Sequence, residues 1–169
     1  MNKNIYDLVN SLISKHQTRD PFELCDFLGV TYVFKDLGSL QGLFSILAGK
    51  PVILSSNSLD EYRQRQVCAH ELGHALLHAD IAKERCLQEF EIFNMCDRVE
   101  YEANVFSAFL LIDFDEADEL FMEENDIFVV SQTLGINVLL LNLGLAEMAR
   151  LGYDVKAPLE FACTRLFGN

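Results

Sequence analysis

Basic residues are scarce in this chain. Lysine and arginine number 13 against 26 aspartates and glutamates, giving a formal charge of −13 at pH 7. A surface of that sign repels phosphates, which argues against nucleic acid as a direct partner and is compatible with a basic protein partner. Long apolar runs are missing too. The richest spot, Leu139-Leu140-Leu141, is cut by Asn142, well short of the ~18 residues of a membrane span. Met1-Asn2-Lys3-Asn4 leads into an amphipathic stretch, not the uninterrupted apolar core of a signal peptide. The five cysteines (Cys25, Cys68, Cys86, Cys96, Cys163) are odd in number and form no C-x-x-C pair. Reduced thiols in a cytoplasmic protein fit best, with Cys86 and Cys96 as a lesser option for a bridged or metal-binding pair.

What is present is ordinary globular material, 50% hydrophobic and 23% charged over 169 residues. The length predicts a single domain over 1–169. It divides into N-terminal helices and a small sheet (1–57), a helical centre (58–112) and a helical C-terminal part (113–169). Ile5, Leu8, Val9, Leu12 and Ile13 follow helical spacing. Asp20-Pro21-Phe22-Glu23 combines an N-cap, an N1 proline and an N3 glutamate, so a second helix runs to about Leu28 and stops at Gly29. Val30–Phe34, Gln41–Ala48 and Val52–Leu54 read as strands, with Gly49-Lys50-Pro51 as turn chemistry. A small antiparallel sheet is expected, with an edge that could take a peptide as an added strand.

The chain is organised around His70-Glu71-Leu72-Gly73-His74, an H-E-x-x-H motif. On a helix, histidines four apart project from one face and can share one metal ion. Glu71 stands beside the ion's open position, where it can take a proton from water. Ser58-Leu59-Asp60-Glu61 has the form of a capping box, and no proline interrupts the chain from there to about Ala79. Leu72, Ala75, Leu76 and Ala79 make the opposite face apolar. Gly73 costs about 1 kcal/mol of helix propensity, and close approach of a neighbouring strand is one reason to keep it. His78 lies eight residues beyond His70. That is about 12 Å along the axis, too far for one ion, so it is read as a helix-end residue. Between Ile81 and Asp97 the pattern blurs, and Cys86-Leu87-Gln88-Glu89-Phe90 reads as helix or loop.

A catalytic zinc site wants a third protein ligand. A helix expected over Val99–Leu111 offers Glu100 and Glu102. Glu100 shares its face with Ala103, Asn104 and Ser107, small residues that permit close approach. Glu102 stands among Val99, Phe106 and Phe109, which looks like packing. Asn104 could bond a ligand histidine from behind. Beyond Asp113 an acidic stretch without EF-hand spacing reads as a solvated helical face. Two packing helices follow, Asp126–Leu134 and Asn137–Leu151.

Together these stretches resemble the ImmA/IrrE family of metallo-endopeptidases. The likeness covers Pro21-Phe22-Glu23-Leu24, the small sheet, His70 to His78, and Glu100-Tyr101-Glu102-Ala103-Asn104-Val105-Phe106, loosely at the C-terminus. It implies an α+β, zincin-like fold and a bound Zn2+, with His70, His74 and Glu100 as ligands and Glu71 as general base. It also implies a protein substrate, a helix-turn-helix repressor of a mobile element or phage. Asp113 replaces a frequent proline of the family, and Ser107 its usual alanine. The rival reading is a metal-stabilised, non-catalytic binding or antitoxin-like regulatory module, against which the intact Glu71 speaks.

Overall fold

Apolar residues at helical spacing open the chain, and they bury as that spacing requires. In the computed structural model, which describes residues 2–84, 87–89 and 98–157, α1 (Asn2–His16) buries Ile5, Val9 and Leu12. α2 (Pro21–Leu28) is capped by Asp20, which accepts from the Phe22 and Glu23 amides, and ends at Gly29 with φ 69°. Three strands follow, β1 (Thr31–Lys35), β2 (Gly42–Leu47) and β3 (Lys50–Ser56). Then come α3 (Glu61–Leu77), α4 (Ala79–Glu84), β4 (Leu87–Glu89), α5 (Arg98–Leu111), α6 (Phe114–Glu123), α7 (Ile127–Thr133) and α8 (Val138–Arg150).

The sheet is mixed, which corrects the antiparallel expectation; its order is β1-β3-β2-β4. β2 and β3 form an antiparallel hairpin with Leu47 opposite Lys50. β1 does not pair with β2, its sequence neighbour. It lies beyond β3, and because β2 reverses the chain between them, β1 and β3 run parallel, Thr31 opposite Val52. The hairpin turn is Ala48-Gly49, both at positive φ (51° and 79°), as a two-residue turn matching strand twist requires. Lys50 and Pro51, expected in the turn, lie in β3. β4 pairs antiparallel with β2, Leu87 opposite Phe44, where helix or loop was expected.

α3 crosses β2 and β3 on one side and lies along α5 on the other. Its N-cap is Asp60, which accepts from the Arg63 amide; Ser58 instead pairs its hydroxyl with Ser56 at 2.8 Å. α5 is the central element, with every residue from Ala103 to Leu111 buried among α3, α1 and α8. Each large apolar side chain hidden there contributes on the order of 2 kcal/mol. Arg19 closes the end of α5, donating from Nη1 to the carbonyls of Phe109, Leu110 and Ile112, and lies 3.4 Å from Asp113. Asp113 also caps α6, which gives that departure from the family pattern a structural role. No helix among the described residues is long and apolar enough to cross a membrane.

Candidate metal centre

α3 and α5 meet where their side chains are smallest. A Cβ at Gly73 would lie 3.2 Å from the Ala103 Cα and carbonyl oxygen and from the Phe106 Cβ. The close neighbour of Gly73 is therefore a helix, not the strand that the sequence suggested. The strand makes its own close approach at Gly42, where a Cβ would lie 2.5 Å from Val67 Cγ1 and 2.6 Å from Glu71 Oε1. β2 thus passes directly across the Glu71 carboxylate, and Glu71 is fully buried beneath it.

The same crossing gathers His70, His74 and Glu100, whose donor atoms lie within 4.8 Å of one another. Glu100 Oε2 is 3.2 Å from His70 Nε2 and 3.5 Å from His74 Nε2, and the two imidazole nitrogens are 3.0 Å apart. His70 Nδ1 faces Asn104 Oδ1 at 3.0 Å. An amide oxygen only accepts, so the ring proton sits on Nδ1 and Nε2 presents its lone pair inward.

Burial pushes the His74 imidazole down to about 4, outweighing the nearby Glu100 carboxylate, which acts upward. For Glu100 burial acts upward, but the neighbouring His70 and His74 imidazoles prevail and hold the carboxyl well below the usual carboxylate range. At neutral pH Glu100 is therefore a carboxylate and His74 a neutral imidazole, beside the buried His70. Three electron-pair donors facing one point repel one another unless a cation lies between them. That donor set fits a divalent metal taking nitrogen and oxygen ligands.

Two residues behind this cluster have partners that the sequence reading did not give them. His78 is not among the converging donors, as its distance along the helix implied. It is nevertheless buried, with Nδ1 3.1 Å from His74 Nδ1 and Nε2 3.1 Å from Glu102 Oε2. Glu102, expected to pack, holds His78 and accepts from Arg98 Nε at 2.7 Å. The available signal was the four-residue step from His74 to His78, which stacks the rings on one face. Tyr101, a possible oxyanion donor by type, spends its proton on Glu147 at 2.5 Å and also accepts from Arg150. Tyr153 rests against Tyr6, ring centroids 5.5 Å apart. Cys25 and Cys68 are buried thiols 3.7 Å apart, while Cys86 and Cys96 fall outside the described residues.

Residues 25–166 match the IrrE N-terminal-like domain, a peptidase family. The chain belongs to the ImmA/IrrE metallopeptidase family. It is 30% identical to the uncharacterized immunity region protein 2 of Bacillus phage phi105 over 116 residues, 66% of this chain and 72% of that protein. It is also 30% identical to the metallopeptidase ImmA of Bacillus subtilis strain 168 over 114 residues, 65% of this chain. That match spans 64% of ImmA, a little under two thirds of its length. In this ImmA/IrrE member the mixed sheet, α3 and α5 form a zincin-like arrangement, and the two helices bring the candidate metal ligands together.

Proposed function

We propose that this chain is a cytoplasmic, zinc-dependent endopeptidase that cleaves a helix-turn-helix repressor of a mobile element or phage and so relieves repression. The observation that carries the reading is the convergence of His70, His74 and Glu100 within 4.8 Å, beside the buried Glu71. A bound zinc there supplies polarisation of a peptide carbonyl and acidification of a water molecule. His70, His74 and Glu100 would hold it. Glu71 takes the proton of the attacking water and passes it to the leaving amine. A purely structural site has no use for this last carboxylate, whose burial costs several kcal/mol, so the non-catalytic alternative is disfavoured.

The substrate assignment draws on the names of the relatives, an immunity-region protein of a phage and a metallopeptidase. It draws also on charge, since a net −13 suits the basic face of a DNA-binding protein. The test is incubation of the purified chain with a helix-turn-helix repressor of a mobile element or phage, taken from an adjacent reading frame where one exists, with and without chelator. Cleavage that stops on chelation and returns with zinc supports the proposal. An intact repressor in the presence of zinc contradicts it.

A further inference from the structure

We propose that His78 and Glu102 are positioning residues of the metal centre, a hydrogen-bonded relay that fixes the tautomer of His74 and aims its Nε2 lone pair at the ion. The inference rests on the metal-centre reading above and adds residues to it.

The relay follows from which atoms can donate. Glu102 Oε2, 3.1 Å from His78 Nε2, is an acceptor, so His78 Nε2 carries the proton. In that tautomer the His78 Nδ1 is bare and accepts across the 3.1 Å contact with His74 Nδ1. His74 is thereby protonated on Nδ1 and bare on Nε2, the atom that faces His70 and Glu100. The opposite assignment places the His78 Nε2 lone pair against a carboxylate. It also places a proton on His74 Nε2, within 3.0 Å of His70 Nε2, where it would block the ion. One carboxylate, two rings away, therefore decides which His74 nitrogen is free.

The fold holds each member in place. His78 is the C-cap of α3, its amide bonded to the His74 carbonyl, so its ring stacks one turn beyond His74. Arg98 engages Glu102 Oε1 and leaves Oε2 to His78. The two imidazoles of the cluster are thus oriented by different means, His70 by the amide of Asn104 and His74 by an imidazole ending in a charge. Partners of this kind are commonly worth 10–100-fold in metal affinity.

The test is zinc affinity by chelator competition for the wild type, His78→Leu, Glu102→Ala, the double variant and His78→Gln, alongside nitrogen-15 spectra of the histidines in the metal-free proteins. The wild type should take up one equivalent, and each single variant should bind roughly 10–100-fold more weakly. The double variant should be no weaker than His78→Leu, because Glu102 reaches the ion only through His78. His78→Gln should recover most of the affinity, since its amide can accept from His74 and donate to Glu102. Spectra should show His74 protonated on Nδ1 in the wild type and a tautomer mixture in Glu102→Ala. If His78→Leu does not fold, Glu102→Ala and its spectrum decide alone. Unchanged affinity and tautomer in the variants, or losses that add in the double variant, would overturn the relay while leaving the metal centre standing. A folded wild type that takes up no zinc would overturn the metal centre, and the relay with it.

Discussion

Glu100 and Glu102 stand two residues apart on α5 and serve different partners. Glu100 faces both histidines of the motif, whereas Glu102 faces His78. Glu100→Ala is therefore expected to lose most bound zinc, because two imidazoles alone hold it poorly. Glu102→Ala should still reach one equivalent at saturating zinc; metal analysis of the two variants checks this, and the reverse result would exchange their roles. The placement of Glu100 was legible because Ala103, Asn104 and Ser107 beside it are small, and all three are buried at the crossing. The partner of Glu102 was not, because a carboxylate among Val99, Phe106 and Phe109 gives no local sign of a histidine reaching it from another helix. Acid provides a second test. His74 titrates near 4 in the fold, below its ordinary 6.5, so the unfolded chain takes up that proton first as pH falls. Stability of the metal-free chain should be full above about pH 6.5 and decline through about pH 4, a loss on the order of 3 kcal/mol. The depressed Glu100 acts in the same direction, its contribution being present above about 4.5 and lost as acid protonates it. Denaturant melts at several pH values measure this, and flat stability from about pH 7 to about pH 4 would contradict it.

The motif helix is held by glycine contacts on two sides. At Gly73 the atoms that an added Cβ would meet at 3.2 Å include the backbone of Ala103, which cannot rotate aside. Gly73→Ala gains about 1 kcal/mol of helix propensity but overpacks the crossing by about 1–3 kcal/mol. A net loss of stability is expected, with weaker zinc binding as α5 moves off; thermal melts and metal titration measure both, and a more stable, fully zinc-competent variant would contradict it. The elements themselves were readable wherever local chemistry sets them. Asp20, Pro21 and Gly29 bound α2, and Asp126 and Asn137 cap α7 and α8. Strand order was not readable, because β1 passes its neighbour β2 to pair with β3, and nothing in five exposed or half-exposed residues records that choice. β4 was missed for a related reason, since three residues are too few to show a period.

Over the whole molecule, 26 acidic against 13 basic residues create a field that favours a basic target and opposes DNA. Cleavage at low substrate concentration should therefore slow as salt rises, over the range where screening shortens to about 10 Å or less. Rates indifferent to salt would leave the charge a role in solubility alone. The fold encloses Glu71 completely, and the chemistry proposed for the chain depends on that carboxylate more than on any other group. The most direct measurement compares repressor cleavage by wild type and Glu71→Gln at equal zinc content. The amide keeps the shape and loses the base, so zinc content and fold should match while the rate falls by about 10²–10⁴-fold. Cleavage by zinc-loaded Glu71→Gln at a rate close to that of the wild type would contradict the mechanism.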